Sequence, residues 1–139
     1  MAFDQNIPVI HVIDDDPALL DSLNMLLTSE GYAVRTYASA RIFLETDWQC
    51  ESGCILTDVH MPEMSGLDLL AALAAQRNDT PVIVLTGRAD AQIAVSALKL
   101  GAFNILSKLA GADALLASID AALKLRNERH PLQPASFVA

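Results

Sequence analysis

Residues 8–17 read Pro-Val-Ile-His-Val-Ile-Asp-Asp-Asp-Pro, and the fold is decided there. Four β-branched residues surround one histidine, and the run stops on three acids and a proline. Apolar residues at consecutive rather than alternate positions predict a strand covered on both faces. Asp16 ahead of Pro17 reads as an N-cap with proline at the first helical position. Leu19, Leu20, Leu23, Leu26 and Leu27 then fall on one helical face, and Gly31 ends the pattern.

The same unit recurs along the chain. Tyr32–Tyr37 predicts a second strand, followed by a short helix carrying Ile42, Phe43 and Leu44. Cys54–Thr57 is the third strand, and a Pro/Gly-punctuated loop from Met61 to Gly66 leads into a helix near Leu67–Arg77. Pro81–Leu85 is the fourth strand, closed by Thr86-Gly87 and followed by a helix from about Asp90 to Leu100. Ala102–Leu106 is the fifth, before a helix from about Ala112 to Arg126. Crossovers of this length suit parallel strands. The expected fold is α/β, a flavodoxin-like (βα)5 doubly wound sandwich with a parallel five-stranded sheet in order 2-1-3-4-5. One domain is expected over 1–126. Residues 127–139, with Pro131 and Pro134, read as a C-terminal tail or the start of a linker.

Composition bounds the function. The chain has 139 residues, 53% hydrophobic and 19% charged, with a formal net charge of −8. That apolar content excludes general disorder, and the negative charge gives no sequence-wide attraction to nucleic acid or anionic lipid. No apolar run is long enough to span a membrane, and Met1–Asn6 has no signal-peptide pattern, so a cytoplasmic location is expected. Cys50 and Cys54 read as ordinary loop and strand cysteines, since His11, His60 and His130 are scattered and complete no zinc set.

In such a sheet the carboxyl ends of the strands share one edge. Strand 1 delivers Asp14, Asp15 and Asp16, strand 3 Asp58, strand 4 Thr86, and Lys108 follows strand 5. Capping and the helix dipole account for part of the acidic triplet, but not for Asp58. Carboxylates converging between neighbouring strands call for a hard divalent cation such as Mg2+. A fixed ammonium and a hydroxyl beside them suit an incoming phosphoryl group, with Asp58 as the carboxylate nucleophile.

These residues resemble the receiver domain of two-component response regulators, most closely its FixJ-like branch. The resemblance rests on Asp14-Asp15, on Thr57-Asp58-Val59-His60-Met61-Pro62-Glu63-Met64-Ser65-Gly66, on Thr86-Gly87, on Ala94–Ala102 and on Lys108, and covers about residues 8–125. It implies that Asp58 accepts a phosphoryl group from a sensor histidine kinase. Asp14, Asp15, Asp58 and the His60 backbone carbonyl would bind Mg2+, with Asp14 acting largely through water. Thr86 and Lys108 would hold phosphoryl oxygens. It further implies a switched surface on the fourth helix, fifth strand and fifth helix, which could carry a phosphorylation-linked homodimer and which controls either a separate protein partner or an effector domain, usually DNA-binding, outside this segment. His60 and Arg88 occupy positions that tune phosphoryl lifetime.

Two positions depart from the family pattern. Ile105 stands where an aromatic ring is common, with Phe103 as a conceivable substitute. Leu109 replaces the proline after Lys108, so a trans Lys108–Leu109 peptide and a displaced loop are expected. These departures motivate an alternative, a degenerate receiver that binds partners without phosphorylation. A third reading, an aspartyl-nucleophile phosphatase or phosphotransferase, lacks the second carboxylate two residues after Asp58, where His60 stands.

Overall fold

The computed structural model describes residues 7–87 and 91–129. Five strands, β1 (Val9–Ile13), β2 (Ala33–Tyr37), β3 (Gly53–Asp58), β4 (Val82–Thr86) and β5 (Asn104–Ser107), alternate with five helices. These are α1 (Pro17–Ser29), α2 (Ala40–Leu44), α3 (Gly66–Ala75), α4 (Ala91–Lys99) and α5 (Ala112–Arg129). All pairings are parallel, and the order is β2-β1-β3-β4-β5, as the sequence implied.

The differences from expectation are local. β3 continues through Asp58, so the acid is part of the strand rather than of the loop after it. A 3-10 turn, Trp48–Cys50, precedes β3 and was not evident from the sequence. β5 begins two residues later than Ala102. α5 passes the expected end at Arg126 and takes in Asn127, Glu128 and Arg129. Met1–Asn6, Arg88, Asp90, His130, Pro131 and Pro134 lie outside the described residues.

Two apolar layers hold the sheet. On one face Ile10, Val12, Cys54, Leu56 and Ile83 pack against Leu23 and Leu27 of α1 and Leu115, Ile119 and Leu123 of α5. On the other, Ile13, Ile55 and Val84 meet Phe43 of α2, Leu69, Leu70 and Leu73 of α3 and Ala97 of α4. β1, β3 and β4 are buried along their whole length, which explains their unbroken aliphatic runs.

Cap chemistry sets where the helices start and stop. Asp16 accepts the Ala18 amide at 3.0 Å with Pro17 next, as expected. Gly31, at φ 93°, lets the chain leave α1 in the left-handed conformation. Ser65 and Asp68 form a reciprocal capping box on α3, each bond 3.1 Å.

Candidate phosphoacceptor site

The carboxyl ends of β1, β3 and β4 and the segment after β5 come together on one edge of the sheet. Asp14 directly follows β1, and β1 pairs with β3 at Ile13–Thr57, which sets Asp14 beside Asp58. Both side chains are buried, whereas Asp15 is exposed. One carboxylate oxygen from each of Asp14, Asp15 and Asp58 falls within 4.8 Å of the others.

Each buried carboxylate is held at two points. Asp14 accepts the Asp16 amide at 2.9 Å, and Asp58 accepts the Val59 amide at 2.7 Å. Their second oxygens share the Lys108 ammonium, at 2.9 Å from Asp14 and 3.3 Å from Asp58. The Lys108 amide donates to the Thr86 carbonyl at 2.9 Å, so the lysine is tied to the strand that delivers the threonine. The Lys108–Leu109 peptide is trans, as expected, and the ammonium still reaches both acids. Leu109 projects into solvent at 88% exposure.

Burial pushes the Asp14 carboxyl above its ordinary pKa, against the pull of Lys108 and the Asp16 amide, while the Asp58 charge adds to the rise. Burial works against the Lys108 charge, but its bonds to Asp14 and Asp58 outweigh that and raise its pKa. Among the described residues, three carboxylates face one ammonium, which leaves negative charge in excess there. Hard oxygen donors this closely spaced fit a small divalent cation such as Mg2+.

A glycine lets the chain close in around Asp58. A Cβ at Gly66 would collide with the Asp58 carbonyl oxygen, and the Gly66 amide donates to Val59 at 2.9 Å. Only a residue without a side chain lets α3 begin that near β3. Gly66 closes the motif that begins at Thr57, and its contact with Asp58 comes from the packing of α3 on β3, which a linear motif does not contain.

His60, two residues after Asp58, is exposed, and Thr86 is buried at the end of β4. Ile105 packs into the layer of α2, α3 and α4, whereas Phe103 packs into the layer of α1 and α5. Phe103 therefore lies across the sheet from Ile105 and cannot take the place of a ring there.

Residues 10–120 match the family described as the response regulator receiver domain. The transcriptional regulatory protein FixJ of Bradyrhizobium diazoefficiens is 42% identical over 115 residues, covering 83% of this chain and 56% of FixJ. The response regulator protein TmoT of Ectopseudomonas mendocina is 40% identical over 126 residues, covering 91% of this chain and 57% of TmoT. The chain thus spans about half the length of the curated relatives it matches. The crystal structure of FixJ-N superposes with a TM-score of 0.80 at 32% identity, covering 91% of this chain and 98% of that one.

Proposed function

The chain belongs to the response regulator receiver family, and we propose that it is a working phosphoacceptor in which Asp58 takes a phosphoryl group from a sensor histidine kinase. Receivers are signalling domains rather than conventional enzymes, and the chemistry proposed here is confined to phosphorylation and dephosphorylation of Asp58 itself. The observation that carries the reading is the shared grip of Lys108 on Asp14 and Asp58, with Asp15 alongside.

Asp58 Oδ2 attacks phosphorus as the phosphorus–nitrogen bond to the donor imidazole breaks, and the imidazole, already protonated on its other ring nitrogen, departs neutral with the bonding electron pair. Asp58 Oδ1 stays on the Val59 amide, which fixes the plane of the attacking carboxylate. Lys108, 3.3 Å from Asp58 Oδ2, would meet the charge that gathers on the transferred oxygens, and Thr86 at the end of β4 would supply a hydroxyl donor. Asp14, Asp15, Asp58 and the His60 carbonyl would hold Mg2+, which when bound supplies positive charge to the crowded carboxylates and the phosphoryl oxygens.

Phosphorylation can shift the domain only through contacts that differ between two states. Engagement of Thr86 and Lys108 by the phosphoryl group is that contact, and the surface of α4, β5 and α5 responds. Val95 and Leu98 of α4 are half exposed, at 50% and 55%, and supply apolar area for a homodimer or for an effector domain, transcriptional as in FixJ. This reading places the domain in the cytoplasm, where Cys50 and Cys54 remain free thiols.

The test is Mg2+-dependent labelling with a small acyl phosphate, followed by the same reaction on Asp58→Asn. Label should enter the unaltered chain and be absent from the variant. Label retained in the variant overturns the Asp58 assignment. Failure to label the unaltered chain favours a binding module that works without phosphorylation.

A further inference from the structure

The opposite edge of the sheet carries an arginine in an unusual setting. Arg126, late in α5, is 7% exposed and reaches the segment just before β3. Its Nη2 donates to the Ser52 hydroxyl at 2.7 Å and its Nη1 to the Asn127 amide oxygen at 2.8 Å. Both acceptors are neutral. Among the described residues no ion pair includes Arg126, although the chain has seventeen acidic residues to nine basic ones. Burial lowers the Arg126 pKa from its ordinary value.

A cavity of about 320 Å³ opens in front of this guanidinium, lined by Ser52, Gly53, Asn78, Asp79, Thr80 and Arg126. A guanidinium has five donors, of which two are used among the described residues, and no buried donor is left without a partner, so the remaining ones are open to the cavity. The free part of the fork matches the two oxygens of a carboxylate. Asp79 lines the same cavity with a contact of its own and forms no ion pair with Arg126. Its negative charge favours a monoanion over a phosphate dianion.

We propose that this cavity is a carboxylate-binding site at the amino edge of the sheet, with Arg126 as the charged donor and Ser52 and Thr80 as its hydroxyl rim. The ligand is a small organic acid, of a size that this volume admits. The site is separate from the acidic cluster and does not depend on phosphorylation of Asp58.

The experiment uses the whole 139-residue chain, titrated with sodium propionate at ionic strength held constant with chloride, and followed by amide and arginine Nε resonances. Saturable shifts are expected at Ser52, Gly53, Thr80 and Arg126, with affinity weakened about tenfold or more in Arg126→Gln. Arg126→Lys keeps the charge without the fork, so it should weaken binding as well and serves if the glutamine variant fails to fold. Asp58→Asn should bind propionate unchanged. Sodium phosphate in place of propionate should bind more weakly. Shifts that rise linearly without saturating, that persist in both arginine variants, or that centre on residues 58, 86 and 108 overturn the proposal. Phosphate binding as tightly as propionate overturns the carboxylate assignment.

Discussion

His11 and Asp14 lie three residues apart, both almost fully buried and both polar, yet the fold treats them in opposite ways. His11 is satisfied by the chain itself. Its Nε2–H donates to the Glu51 carbonyl at 2.6 Å, and its Nδ1 accepts the Tyr37 hydroxyl at 2.8 Å. Phe43 and Trp48 meet the imidazole edge-on, and Tyr37 stacks at 5.8 Å. Asp14 shares one ammonium with Asp58, and Asp15 adds a third carboxylate with no further cation among the described residues. A buried polar group whose partners are all internal is structure. One whose neighbourhood has more charge than the chain balances is an opening for something from outside.

The largest expected effect would sharpen the acidic half of that contrast. Mg2+ should stabilise the unaltered chain against urea by about 2.7 kcal/mol at a hundredfold excess over its dissociation constant. Asp58→Asn should lose most of that gain while remaining folded, because asparagine keeps the acceptor for the Val59 amide. Equal stabilisation of both proteins would mean that the acids do not share a cation.

A smaller effect tests the histidine half. Tyr37→Phe removes the donor to Nδ1 and should cost about 1–2 kcal/mol at neutral pH. Burial lowers the His11 pKa, opposed by the Glu51 carbonyl and carboxylate and assisted by the Arg35 charge. The unfolded chain therefore binds this proton first. Stability from His11 is complete above about pH 6.5 and declines as pH falls toward the lowered folded value. Urea midpoints between pH 5 and 7.5 should show that slope, and His11→Phe should flatten it. An unchanged slope in the variant would place the titration elsewhere.

The smallest effect concerns a pair that looks strong on paper. Arg35 grips both oxygens of Glu51, at 3.1 and 2.8 Å, but the side chains are 59% and 37% exposed. Glu51→Gln should cost less than about 1 kcal/mol in 0.15 M salt. A larger loss would show that the pair props the 3-10 turn above His11, joining it to the buried network.

Some of this was legible in the sequence for local reasons. Asp16-Pro17 fixed the start of α1, and the aliphatic runs revealed strands buried on both faces. Asp14, Asp15, Asp58, Thr86 and Lys108 stood out because each follows or ends an apolar run. The His11 cluster went unread although signs were present: one histidine inside an apolar strand, and Tyr37, Phe43 and Trp48 close together in a chain only 5% aromatic. Strand periodicity shows that position 11 is buried but not what it meets, because its partners come from β2, α2 and the turn before β3. Arg126 was hidden for a related reason. It looks like one more basic residue near a helix end, where exposure is the ordinary outcome.

The sequence by itself determined the alternation of strands and helices, the parallel order and the residue types at the carboxyl edge. Those follow from periodicity, caps and turn residues acting over a few positions. Tertiary structure alone decided that Lys108 bridges Asp14 and Asp58 across a trans Lys108–Leu109 peptide, that Phe103 and Ile105 take opposite layers, and that Gly66 touches Asp58. Each joins residues brought together by pairing between strands or by close packing of a helix start. Register, layer and closest approach are settled by how the whole sheet packs, and no local window of sequence contains that information.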